Sequence, residues 1–159
     1  MLKRLLLTVA ATLVILSMLS CSSTPKYSHC ELVIPLSNDF KEVSNEDYDA
    51  TYSNGKFLVA VLRISFVAAS NSGIPQTMTP YEFGNFWLDK CNRAADVISD
   101  GVAYCEYHDS SYGVEYFYLE AFYRSQYAYF VVLFAADARF EEDARTKFLG
   151  YAGDLYFTD

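Results

Sequence analysis

Ten of the 23 residues between positions 112 and 134 are Phe or Tyr, and that density limits what the chain can become. Aromatic and β-branched residues in such runs suit a pleated, half-buried surface. The stretch reads as two strands, Val114–Arg124 and 127–135, joined at Ser125-Gln126. A link of that length is hairpin spacing. Side chains alternate along a strand, so Phe130, Val132 and Phe134 point one way and Tyr129, Val131 and Leu133 the other. Both faces are apolar, and both need cover.

The rest of the chain supplies it. Residues 30–36 predict an opening strand, and residues 41–49 a charged, irregular segment. Residues 48–53 and 56–66 flank Asn54-Gly55, a pair suited to the positive φ angles of a type I′ turn. Leu58, Ala60, Leu62, Ile64 and Phe66 share one face of the second strand; Phe57, Val59 and Val61 share the other. Residues 67–79 read as a polar loop. Thr79-Pro80-Tyr81-Glu82 is a capping box with proline at the first helical position. Phe83, Trp87, Cys91 and Ala94 follow at helical spacing. A strand over 102–108 and a turn over 109–113 lead into the aromatic pair. Asp137 then caps a second helix over 138–152, whose stripe is Phe140, Ala144, Phe148 and Tyr151. The expected class is α+β: an antiparallel sheet with helices on both faces.

The N-terminus carries a different signal. Lys3 and Arg4 precede an apolar run from Leu5 to Leu19, which is followed by small residues. This is the layout of a secretory signal peptide, and the run is short for a membrane span. A short uncleaved anchor is the alternative. Met18-Leu19-Ser20-Cys21 resembles the bacterial lipoprotein cleavage box, in which the cysteine after a small residue is lipidated and becomes the new N-terminus. The expected organisation is a signal peptide over 1–20, a lipidated tether over 21–28 and one α+β domain over 29–159. The acyl chains would hold the protein on the extracytoplasmic face of the cell membrane. An ordinary secretory signal that happens to contain Cys21 is the other reading.

Removing residues 1–20 takes away two basic residues and no acidic one, leaving a net charge of −10. Nucleic acid, whose phosphates need a basic surface, is disfavoured as a partner. Docking of the folded part on anionic lipid is disfavoured too. Cys30, Cys91 and Cys105 remain beyond Cys21. An exported compartment permits disulfides, and Cys91–Cys105 is the expected pair, with three buried thiols as the alternative.

Ile34-Pro35 leading to Phe40, the hairpin at Tyr52-Ser53-Asn54-Gly55 with its long following strand, and the closing run from Phe148 to Phe157 together resemble the PsbP-like and DcrB-like families. These include small exported bacterial lipoproteins. The resemblance implies an α/β/α sandwich over about residues 29–157. Plant members are associated with photosystem II, and bacterial lipoprotein members largely lack an assigned activity.

No catalytic or cofactor motif stands out. Cys105, His108, His29 and Cys30 are zinc-ligand types, but Cys105 and His108 alternate to opposite faces of one strand. Tyr112, Tyr116, Tyr118 and Tyr127 form a candidate binding face for a peptide or sugar. The competing reading has them cover the sheet beneath a helix. The functional expectation is a non-enzymatic, membrane-tethered protein-binding or assembly module of the cell envelope, with no cofactor and an envelope protein as partner. A small-ligand or glycan carrier and an envelope hydrolase are the alternatives. Cys21→Ser is expected to release the protein from the membrane fraction or to leave an unprocessed precursor. N-terminal sequencing of the mature wild-type chain checks this, and a start anywhere but Cys21 refutes it.

Overall fold

The computed structural model describes residues 27–99 and 101–158. The expected signal peptide, Cys21 and the first part of the tether lie outside the described residues. In chain order the strands are β1 (Tyr27–His29), β2 (Leu32–Ile34), β3 (Lys41–Glu42), β4 (Ala50–Ser53), β5 (Phe57–Ser65), β6 (Asp96–Ser99), β7 (Val102–Ser111), β8 (Val114–Arg124), β9 (Ala128–Asp137) and β10 (Tyr156–Phe157). The helices are α1 (Phe66–Asn71), α2 (Pro80–Leu88) and α3 (Glu141–Asp154). Among the described residues, seven strands form one sheet in the order β3-β4-β5-β9-β8-β7-β6, and β1-β2-β10 form a smaller one. Neighbouring strands pair antiparallel throughout. The class is α+β, with helices on both faces of the large sheet.

Strands β5, β9 and β8 lie at the centre and are apolar on both sides, as their alternation requires. On one side Phe57, Val59, Phe117, Leu119, Phe130 and Phe134 meet α3 through Ala144, Phe148 and Ala152. The small sheet adds Leu32 and Ile34 to that core. The Phe148 ring stands 5.3 Å from Phe57, 5.4 Å from Phe134 and 6.2 Å from Phe117, with which it is parallel. The buried Tyr123 hydroxyl donates to the Ala152 carbonyl at 3.0 Å and fixes the last turn of α3.

On the other side Phe122, Tyr129, Val131, Ala103 and Cys105 meet α1 through Ala69 and α2 through Phe83 and Leu88. Phe83 stacks on Tyr129 with ring centroids 4.3 Å apart. The Tyr129 hydroxyl donates to the Pro75 carbonyl at 2.6 Å, tying down the α1–α2 connection. The capping box forms as its residues imply: Glu82 N donates to Thr79 Oγ1 at 3.2 Å, and Thr79 N donates to Glu82 Oε2 at 2.8 Å. Glycine is required inside α2, because a Cβ on Gly84 would stand 2.7 Å from the Phe122 ring.

Several expectations need correcting. Residues 30–36 are not one strand: Cys30, at φ 51°, turns the chain between β1 and β2. The extended chain therefore begins inside the segment expected to be tether. The Asn54-Gly55 turn is not type I′, since only Gly55 takes positive φ there and the loop runs over four residues between paired Ser53 and Leu58. Asn54 instead accepts from the amides of Lys56 and Phe57 at 3.0 and 2.7 Å, closing the loop with its side chain. The tight turn lies at Tyr112-Gly113, where both residues have positive φ and Ser111 pairs with Val114. Part of the supposed loop after residue 66 is α1, capped by Ser65, whose side chain accepts from Ala68 N. Helix α2 ends at Leu88, and the following turn leaves Cys91 exposed, so the expected stripe breaks there.

Helix α3 yields a direct test. Phe148→Ala is expected to cost about 3–5 kcal/mol, as truncation of a buried phenylalanine does. Lys147, exposed and paired with Asp143 at 3.2 Å, carries little. Lys147→Ala should cost no more than about 0.5 kcal/mol. Denaturant melts of the two variants check the contrast, and equal small losses would refute the packing.

Candidate binding face

Helices α1 and α2 leave part of their side of the large sheet bare. The register defines three rows of side chains there. Thr51, Ala60, Leu133, Glu120 and Cys105 form one row across five strands. Ser53, Leu58, Ala135, Tyr118 and Tyr107 form the next. Asp137, Tyr116 and Asp109 form the third, with the tyrosine between two carboxylates.

The rings of the second and third rows lie against one another. Tyr107 and Tyr118 are 5.1 Å apart and nearly parallel, and Tyr116 leans on Tyr118 at 6.2 Å. The Arg93 guanidinium lies 3.7 Å from the centre of the Tyr107 ring and ends the column on that side. Beside Tyr118 the column borders an open trough of ≈ 340 Å³. Its lining includes Leu58, Leu133 and Ala135, the tyrosines on one side and the Gly55–Lys56 loop on the other. Burial, and then the nearby Asp109 charge, push the Tyr118 hydroxyl up from its ordinary pKa. Burial and Glu120 do the same to Tyr107 and to Tyr48, which comes from the loop before β4.

Glu120 is 9% exposed and stands where the helical cover meets the trough. Its Oε1 accepts from Trp87 Nε1 of α2 at 2.9 Å. Burial raises its pKa above the carboxylate norm, against the pull of the Trp87 hydrogen bond and the Arg93 charge. In the same row, Thr51 Oγ1 is buried with no hydrogen-bond partner among the described residues.

Of the four tyrosines singled out in the sequence, the structure brings Tyr116 and Tyr118 together. Tyr112 sits fully exposed at the β7–β8 turn, away from the trough. Tyr127 lies beyond the opposite end of β8, where it lines a separate depression with Glu31, Ser125 and Phe157. Sequence reasoning missed Tyr107, Glu120, Trp87 and Arg93. The missing signal was the turn: placing it at Tyr112-Gly113 sets Tyr107 opposite Tyr118 and Cys105 opposite Glu120 by counting alone.

No protein-family model matches the chain, and no curated protein matches it. Its likeness is to solved structures. A crystal structure from Bacteroides thetaiotaomicron VPI-5482 aligns with a TM-score of 0.58 at 11% identity, covering 86% of this chain and 49% of that one. The chain thus spans about half the length of that protein. LpqN of Mycobacterium tuberculosis, involved in cell envelope biogenesis, aligns with a TM-score of 0.50 at 9% identity, over 80% of this chain and 83% of LpqN. The solution structure of the cyanobacterial PsbP of Synechocystis sp. PCC 6803 aligns over 88% of this chain and 95% of its own, at 12% identity and a TM-score of 0.46. That last likeness is too loose to carry an argument, and the other two show a common fold.

The remaining candidate residues stand apart. Cys30, Cys91 and Cys105 are free thiols, so the expected Cys91–Cys105 bridge is not formed. Cys105 is buried in the α2 core, whereas Cys91 is exposed in the turn after α2. His108 bonds Glu141 through Nε2 at 2.9 Å and lies on the α3 side, against Phe117. His29 belongs to β1 of the small sheet. Among the described residues no helix is long and apolar enough to cross a membrane.

The buried carboxyl predicts a pH effect. A group whose folded pKa is raised contributes stability below its unfolded pKa and loses it as pH rises through the folded value. Glu120→Gln keeps the acceptor for Trp87 and removes the charge. Its gain in Tm over wild type should therefore be larger near about pH 8 than near about pH 5. Thermal melts at the two pH values decide, and a difference independent of pH would refute the assignment.

Proposed function

We propose that this protein is a lipid-anchored, extracytoplasmic module of the cell envelope that binds a protein partner through its tyrosine column, with no catalytic role. One observation carries the reading: the tyrosines of β8 and β9 divide into two kinds. Tyr123 and Tyr129 are fully buried, and their hydroxyls hold backbone carbonyls of the covering segments. Tyr116 and Tyr118 are half-buried, lie with their rings tilted together 6.2 Å apart, and make no hydrogen bond to another described residue. Rings with an apolar face and an unused hydroxyl are the residues that protein interfaces favour.

The trough is open rather than enclosed, which suits a partner's surface better than a carried ligand. An envelope hydrolase would require His29, His108 or an acidic pair to line a pocket, and neither histidine lines the trough. LpqN, which shares this fold, is involved in cell envelope biogenesis. The same compartment fits the apolar leader and Ser20-Cys21 of this chain.

Site-specific photo-cross-linking in the native envelope tests the proposal. p-Benzoylphenylalanine in place of Tyr116 is expected to give one discrete product that disappears with Tyr118→Leu. The same group in place of Val67, exposed on α1, should not give it. Identical products from both positions, or none from Tyr116, would refute the reading.

A further inference from the structure

We infer that the slot beside Tyr118 receives an arginine side chain from a basic segment of the partner; this inference rests on the assembly reading above. The protein itself seats one guanidinium on this column, Arg93 at 3.7 Å from the Tyr107 ring. Tyr107 and Tyr118 are close to parallel, so the column offers the same kind of ring surface on its open side. A planar, weakly hydrated guanidinium stacks on such a face, with its alkyl stem along apolar surface. Leu58, Leu133 and Ala135 provide that surface in the trough.

Charge points the same way. Asp109 stands beside Tyr116 in register, across from the Asp137–Arg139 pair. The cations around the trough are already engaged: Lys56 with Asp143 at 2.5 Å, Arg139 with Asp137 at 2.7 Å, and Arg93 with Tyr107. Asp109 forms no ion pair among the described residues, so a negative charge beside the rings awaits a counter-charge from outside. The chain as a whole carries a net charge of −8, which steers a basic segment toward it.

The test uses the full-length chain in mild detergent and a fluorescent peptide of alternating arginine and serine. The control peptide replaces arginine with citrulline, which keeps the shape and removes the charge. The arginine peptide should bind, and the citrulline peptide should not. Tyr118→Leu should weaken binding about tenfold, whereas Tyr118→Phe, which keeps the ring, should leave it within about twofold. Asp109→Asn should weaken it severalfold, and because that residue is exposed it decides the matter alone if Tyr118→Leu fails to fold. Equal binding of the citrulline peptide, or affinity indifferent to both Tyr118→Leu and Asp109→Asn, would overturn the inference. So would failure of the arginine peptide to bind alongside capture of chitotetraose. If the cross-link at Tyr116 persists while the arginine peptide fails, the arginine falls and the assembly reading stands. Loss of both removes both.

Discussion

Three central strands that are apolar on both faces impose the main constraint on this molecule. Each face of β5, β9 and β8 has to be covered, and the chain has unequal means for the two. Toward the side of α3 it offers a fourteen-residue helix and a small sheet. Toward the other it offers helices of six and nine residues. At 1.5 Å per residue the longer of these reaches about 13 Å, while an eleven-residue strand runs about 35 Å. Part of the second face is therefore left without a helix, and there the chain sets tyrosine rings beside Leu58 and Leu133.

Tyrosine hydroxyls also fix where the covers stop. Tyr123 reaches through the core to Ala152 at the end of α3. Tyr129 reaches to Pro75 between α1 and α2. Both rings fill space and both hydroxyls are satisfied, so neither carries the cost of an unpaired buried polar group. Glu120 continues this arrangement at the border of the trough. By accepting from Trp87 it ties the last turn of α2 to β8, and the Gly84–Phe122 contact sets how closely the helix lies on the sheet. The open column is bounded by these fixed points.

Much of this was legible in the residues. Alternation along β5, β8 and β9 gave the two-sided sheet, and the stripe of Ala144 and Phe148 gave the cover on one side. The capping box located the start of α2. What escaped depended on information beyond local pattern. Helix α1 was hidden by its Ser and Asn, because a six-residue helix has too little periodicity to announce itself. β6, at the sheet edge, shows no clean alternation. The type I′ turn was assigned to Asn54-Gly55, the stronger pair by propensity, yet formed at Tyr112-Gly113, where hairpin pairing held a tyrosine at positive φ. That exchange also hid the column, since register across a hairpin follows from its turn. Tyr127 joined the candidate set by composition, although strand rise alone puts it roughly 30 Å from Tyr116.

The carboxyl at the edge of the trough shows why the bare surface is better read as a retained feature than as a gap in packing. A leucine at position 120 would bury without an electrostatic cost, whereas Glu120 is held with its pKa raised by burial. Such a group weakens the isolated fold as pH rises through its raised pKa. Its pairing with Trp87 limits the cost and leaves a polar margin beside a wall of rings. Placed under the middle of α2, the same carboxyl would have done nothing but destabilise. Placed where the helix ends, it borders the stretch of sheet where Tyr116 and Tyr118 make no hydrogen bond to another described residue. Cost and position coincide there, as they do when stability gives way to recognition.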